Sequence, residues 1–315
     1  MEFEYYLGMK QTTLRKEVRC SGVGLHSGQK VEMVLKPAPA DTGVVFSLLT
    51  KAGRQVVVPE PGRVVGTGLA TTLGTERAKV STVEHLLAAL VGLEIDNVLV
   101  EVDGEEIPIL DGSASVYVYL INSAGIKVLE RPREVARVRR TLVFEQDGKR
   151  VVAKPFNGLK IDYHINFPHP QIGEQSFCFE STPLAFSNRI ARARTFGFMK
   201  DVEWLQKNGL ALGGSLENAV VFDDYGVINP EGLRYGDEMV RHKILDFMGD
   251  IAVGSHRLCG HFEVFCSGHD FNNKFMRYLF DNHMEYLEFV TLEGSVSAPA
   301  CPDPVHVPAG VPAWA

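Results

Sequence analysis

Two residues in the stretch Arg241-His-Lys-Ile-Leu-Asp-Phe-Met-Gly-Asp250 sit four apart and could share an ion. In a helix His242 and Asp246 point the same way, so both can grip one metal. His85 could supply a third ligand, with Glu84 beside it taking a proton from a water molecule. Neighbours on a helix diverge by about 100°, yet both can serve one site if the water lies between them. Spacing alone leaves plainer readings open. His-x-x-x-Asp is common on solvated helix faces. Ser81-Thr82-Val83-Glu84 also matches a capping box, which by itself would account for Glu84. His269, in Ser267-Gly-His-Asp270, could deliver a proton near neutral pH, and Asp250 could orient it. Otherwise it is a polar turn residue. Thr195 could donate to a developing oxyanion or simply cap a helix. Lys243 could bind a phosphate or stay solvated.

Two histidines and a carboxylate with an open position suit catalytic zinc, and they also suit non-haem iron. Other chemistries find no support. There is no HExxH, GxSxG or GxGxxG, and Leu212-Gly-Gly-Ser215 lacks the Lys-Ser/Thr ending of a phosphate loop. Five cysteines, an odd number with no CxxC, argue against a disulfide framework and for a reducing compartment. The net charge of -7 disfavours a nucleic-acid partner. Arg133, Arg137, Arg139 and Arg140 are expected on the polar face of a strand. The N-terminus lacks a secretory apolar core. The longest apolar run, Leu86 to Leu93, falls far short of the roughly 20 residues of a membrane helix, so a soluble protein is expected.

These residues need elements to hold them. Val83, Leu86, Leu87 and Leu90 recur at helical spacing and predict a helix over 81–92. Further helices are expected over Asp111–Gly125, Asp237–Val253 and 270–285, with Asp111 as a cap. In the 237–253 helix, Val240, Ile244, Phe247 and Ile251 share one face, and His242, Asp246 and Asp250 form a polar seam nearly opposite. Strands dominate the start of each half. The order strands, helix, strand, helix occurs twice without a residue-level repeat. The fold class is therefore α+β, two similar sandwich layers with the site in the cleft between them. The domains are placed at 9–130 and 131–298, with a Pro- and Ala-rich disordered tail at 299–315 and residues 1–8 as a dispensable extension.

Taken in order, the blocks GVGLHSG, STVEHLLAAL, EIPILDGSA, RARTFGFM, LGGSLENAVV, RHKILDFMGD and SGHDFNNK resemble the UDP-3-O-acyl-N-acetylglucosamine deacetylases, over roughly residues 10–290. The resemblance implies a zinc-dependent hydrolase that removes the N-acetyl group of an acylated UDP-amino-sugar, releasing acetate in the committed step of lipid A synthesis of Gram-negative bacteria. It implies His85, His242 and Asp246 as ligands of one Zn2+, with Fe2+ an alternative ion. Glu84 is then the general base, His269 the general acid, Asp250 its orienting carboxylate and Thr195 the carbonyl-polarising donor. Lys243 would reach the diphosphate, Phe196 would flank the sugar, and Phe167 would stack on uracil. Two sandwich domains with small inserts are implied, one near 45–75 and one at 196–222. The second would line an acyl-chain passage with Val202, Leu205, Leu210, Leu212, Leu216, Ala219 and Val221. A cytoplasmic monomer without a transmembrane segment, touching membranes transiently, completes the expectation. Competing readings are a zinc hydrolase of another amide such as a peptide, a nucleotide-sugar or acyl-chain binder with a structural metal, and a non-haem iron oxygenase.

Overall fold

Strict alternation builds the first sheet. In Lys30–Pro37 the side chains of Val31, Met33 and Leu35 turn inward while their neighbours face outward. The computed structural model describes residues 9–51, 53–254 and 256–292. The first half runs β1 (Lys10–Leu14), β2 (Val18–Val23), β3 (Lys30–Pro37), β4 (Val44–Thr50), β5 (Gly53–Val57), β6 (Val64–Gly66), β7 (Thr72–Gly74), β8 (Lys79–Val80), α1 (Glu84–Gly92), β9 (Val98–Val102), α2 (Ser115–Ala124) and β10 (Ile126–Pro132). The second half runs β11 (Glu134–Val138), β12 (Leu142–Gln146), β13 (Lys149–Lys154), β14 (Leu159–Phe167), β15 (Gly173–Glu180), α3 (Pro183–Arg189), β16 (Phe196–Phe198), α4 (Met199–Lys207), β17 (Val220–Phe222), α5 (Glu238–Ile251), β18 (Arg257–Phe265), α6 (His269–Asp281), α7 (His283–Tyr286) and β19 (Leu287–Thr291).

The two halves repeat one topology. The first sheet has the order β2-β3-β9-β4-β5, with only β4 and β9 parallel. In the second, β12, β13, β18, β14 and β15 lie side by side in the same order, with β14 and β18 parallel. β11 and β19 extend that sheet. A helix precedes the central strand in each half, α1 before β9 and α5 before β18, and another follows it. The recurrence expected from the element order is thus a recurrence of strand pairing. The fold is α+β, built from two such sheet-and-helix layers.

α1 and α5 occupy equivalent places in the two halves and pack on each other. Both are enclosed on nearly every side: Glu84 to Leu90 are all buried, as are twelve residues of α5. The polar seam of α5 is therefore interior rather than a solvated face. Gly249 lets the helices meet backbone to backbone, because a Cβ there would sit 2.0 Å from the Glu84 carbonyl oxygen.

Several expected features fall elsewhere. Most of β4 and all of β5 fall in 45–75 yet pair into the main sheet, and the separate three-stranded sheet is β6-β7-β8, from Val64 to Val80. Segment 196–222 folds as a parallel β16-α4-β17 unit. The stretch 270–285 is two helices, α6 and α7. Arg133 is no polar strand face: it is 2% exposed and donates to Asp96 at 2.7 Å and Glu94 at 3.2 Å, which carry its buried charge. Cys20, Cys178, Cys259 and Cys266 are free. Cys301, the expected tail and residues 1–8 lie outside the described residues.

Candidate metal centre

The junction of α1 and α5 places three donors together. His85, His242 and Asp246 are buried, with ligand atoms within 4.8 Å of one another. His85 Nε2 lies 3.4 Å and His242 Nε2 3.2 Å from Asp246 Oδ1. Ligands about 2.0–2.1 Å from a tetrahedral ion stand about 3.3 Å apart, so the donor spacing fits zinc. His242 Nδ1 donates to the Ala193 carbonyl at 3.1 Å, which leaves the Nε2 lone pair facing Asp246. Burial drives the His242 imidazole down to about 3, so it is neutral at pH 7, as a ligand must be. His85 Nδ1 is buried with no hydrogen-bond partner among the described residues. Burial works against the Asp246 charge, yet His242 and Lys243 beside it hold its carboxyl well below the usual range.

His85 and Asp246 of this group line a cavity of about 320 Å³. Glu84 and His269 line it too, as do Thr195, Phe196 and Lys243. Burial raises the Glu84 carboxyl above its ordinary range. Its Oε2 accepts the Thr71 N–H at 3.0 Å. His269 opens α6 and its Nδ1 donates to Asp250 Oδ2 at 2.8 Å. Burial opposes a charge on His269, but Asp250 outweighs it and lifts the imidazole to about 10. The ring is therefore protonated at neutral pH, with Nε2–H left over. Asp250 also accepts from the Thr71 hydroxyl at 2.6 Å and from Asn272 Nδ2 at 2.7 Å.

Buried polar contacts fix the far wall. Arg194, 1% exposed, donates to Glu238, fully buried in the first turn of α5, at 2.9 Å. Together with the Ala193–His242 bond this ties residues 193–195 to the helix that carries the ligands. Gly213 N–H donates to the Leu25 carbonyl and Leu212 N–H to the His26 carbonyl, docking the segment after α4 on the 24–28 loop. Glu106 holds that loop by accepting from the His26 and Ser27 amides at 2.8 and 2.9 Å.

The structure brings His85, His242, Asp246, Glu84, His269, Asp250, Thr195, Phe196 and Lys243 into one neighbourhood. Phe167, at the end of β14, packs edge-on against Phe196 with centroids 5.4 Å apart. Lys243 lines the cavity, and its Nζ lies 2.8 Å from Asp246 Oδ2. Glu84 makes no capping box, since its carboxylate turns to Thr71 and no side chain caps α1. Asp111 does not cap α2 directly. It accepts from Ser113 and Ser115 and pairs with Arg234 at 2.8 Å. Thr195 caps no helix, because strand β16 follows it. Val202, Leu212, Leu216 and Val221 lie outside the cavity wall; Leu212 and Leu216 are exposed.

Two residues of the neighbourhood carry no signal of their own in the sequence. Lys149 lines the cavity from the start of β13, just after the turn from β12. Asp147-Gly148, both with positive φ, marks that turn, but nothing marks the lysine. Thr71 is one threonine in a Thr- and Gly-rich stretch. Asp162, His261 and Glu263 also cluster, but on the half-exposed outer face of the second sheet, where Glu263 pairs with Lys154.

The profile of the UDP-3-O-acyl N-acetylglycosamine deacetylases matches residues 11–281. A UDP-3-O-acyl-N-acetylglucosamine deacetylase of Nitratidesulfovibrio vulgaris is 54% identical over 292 residues, 93% of this chain and 94% of that protein. One from Oleidesulfovibrio alaskensis is 53% identical over 284 residues, 90% and 93% of the two chains. One from Haemophilus influenzae is 46% identical over 295 residues, 92% and 96%. With the family profile covering most of its length and such relatives aligned nearly end to end, this chain belongs to the UDP-3-O-acyl N-acetylglycosamine deacetylase family.

Proposed function

We propose that this chain hydrolyses the N-acetyl group of UDP-3-O-acyl-N-acetylglucosamine, releasing acetate in the committed step of lipid A synthesis, with zinc held by His85, His242 and Asp246. The observation that carries the reading is a juxtaposition: a buried donor set of two histidines and a carboxylate, with Glu84 and the Asp250-paired His269 on the same cavity wall. An ion bound there supplies Lewis-acid activation of a water molecule and of the amide carbonyl. Three protein donors leave a coordination position open, as catalytic zinc sites do, which disfavours a purely structural metal. Fe2+ suits the same donors.

Glu84 takes the proton of the attacking water, and burial, which raises its carboxyl, makes it a stronger base for that task. Thr195, in the cavity wall, donates to the oxygen that gains charge as the carbonyl is attacked. His269 Nε2–H then protonates the departing glucosamine nitrogen, while Asp250 on Nδ1 holds the ring in place. Lys243 keeps Asp246 ionised and leaves Oδ1 for the metal. Lys149 offers positive charge to the diphosphate from the cavity wall. Phe196 flanks the sugar and Phe167 lies behind it toward uracil. Exposed Met199, Trp204, Leu212 and Leu216 in segment 196–222 give the acyl chain an apolar path. A cytoplasmic monomer fits this reading, and among the described residues no helix is long and apolar enough to cross a membrane.

A substrate comparison tests it. Purified protein should release acetate from the acylated UDP-sugar and leave N-acetylated peptides intact. Turnover of the peptides instead would move the function to another amide.

A further inference from the structure

Thr71 touches both chemical arms of the cleft without lining the cavity. It is 3% exposed. Its N–H donates to Glu84 Oε2 at 3.0 Å, and its carbonyl accepts from Val83 N–H at 3.4 Å, at the foot of α1. Its hydroxyl donates to Asp250 Oδ1 at 2.6 Å and lies 3.5 Å from His269 Nδ1. One residue of the first half thus spans the base on α1 and the carboxylate on α5 that holds the proton donor.

The surrounding structure fixes Thr71 in turn. Thr72 next to it pairs with Gly66 on β6, and its hydroxyl bonds Ser81 Oγ at 2.9 Å. Leu73 pairs with Val80 on β8. The small β6-β7-β8 sheet buries Val64, Leu73 and Val80 in the core, and it anchors the start of β7 against the cleft. Asp250 shows why that matters. Its two oxygens receive the Thr71 hydroxyl, His269 Nδ1 and Asn272 Nδ2, and a buried carboxylate short of one donor is free to rotate toward the others.

We propose that Thr71 is a positioning residue that sets the distance between Glu84 and His269: its amide fixes the base, and its hydroxyl fixes Asp250 and through it the proton donor. The inference rests on the assignment of Glu84 as base and His269 as acid. The β6-β7-β8 sheet then has a role in catalysis, as the support that carries this clamp.

The variants are Thr71→Val, which keeps shape and amide but removes the donor, and Thr71→Ser, which restores it. Each is measured for kcat and KM of acetate release, for bound zinc, for unfolding midpoint and for the His269 Nδ1–H resonance by NMR without substrate. Thr71→Val should lower kcat by about 10- to 100-fold with KM within about threefold, and Thr71→Ser should return to within about threefold of the parent. Bound zinc should stay equimolar. The His269 resonance should shift or broaden in Thr71→Val and return in Thr71→Ser. Thr71→Ala serves as the donor-less variant if the valine form does not fold. A donor-less variant with parental kcat overturns the proposal. So does a loss that serine fails to recover with the His269 resonance unmoved, since that is a packing defect. If the parent itself releases no acetate, the functional assignment fails separately, and the resonance still decides whether Thr71 positions His269.

Discussion

Gly249→Ala is the substitution for which sign and size follow most directly from the packing. Inside a helix, Gly to Ala ordinarily stabilises by about 1 kcal/mol, because glycine gives up more backbone freedom. At Gly249 the added Cβ would meet the Glu84 carbonyl oxygen at 2.0 Å and the Glu84 carbonyl carbon at 2.6 Å. These are backbone atoms, so no rotamer change relieves the contact. Opening the first distance even to 3.0 Å displaces α1 against α5 by 1.0 Å at the residue that carries the base. Overpacking of this kind costs about 1–3 kcal/mol, which cancels the expected gain or turns it into a net loss of up to about 2 kcal/mol. A shift near 1 Å at reacting groups can cost about 100-fold in rate. Urea unfolding, bound zinc and kcat/KM of the variant check both numbers. A Gly249→Ala protein as stable as the parent and fully active would show that α1 and α5 do not meet at this point.

Further outcomes follow from the same geometry. Glu84→Ala should keep equimolar zinc and lose about 10²- to 10⁴-fold in kcat, measured as acetate release beside metal content. His85→Ala should lose tightly bound zinc, read by metal analysis after dialysis; retained stoichiometric zinc removes His85 from the ligand set. His269 moves from 6.5 when unfolded to about 10 when folded. The folded protein then holds the extra proton, so this stabilisation is complete below pH 6.5 and disappears as pH rises toward about 10. Metal-free protein should lose up to about 1.4 kcal/mol per pH unit across that window relative to His269→Gln, followed by urea titrations; parallel curves would refute the shift. Glu238→Ala should cost about 1–3 kcal/mol, because buried Arg194 keeps Glu231 but loses the carboxylate that takes its Nε–H, and an unfolding free energy equal to the parent's would contradict that.

Legibility in the sequence followed the range of the interactions. The α5 seam was readable because His242, Asp246 and Asp250 are fixed by one helix period. Its burial was not, since that depends on α1, about 160 residues away in the chain. Glu84 matched a capping box because the motif is local, whereas its real partner is an amide 13 residues upstream whose position depends on the small sheet. Lys243 reads as a lone cation until Asp246, three residues on, pairs with it on the same helix face. Arg133 looked like surface charge because Glu94 and Asp96 approach it only after the two halves close. The repeated sheet order was foreshadowed by element order alone, since pairing can recur where side chains do not. Lys149 and Thr71 had no local pattern to betray them. Each matters through what surrounds it in space.

The central claim is that the His85, His242 and Asp246 group binds the metal on which acetate release depends. The direct measurement is acetate release from UDP-3-O-acyl-N-acetylglucosamine by the purified protein, before chelation, after it, and with zinc added back. Release should stop on chelation and return as zinc reaches one equivalent. Release that survives chelation with no metal left in the protein, or no release by folded, zinc-loaded protein, would contradict it.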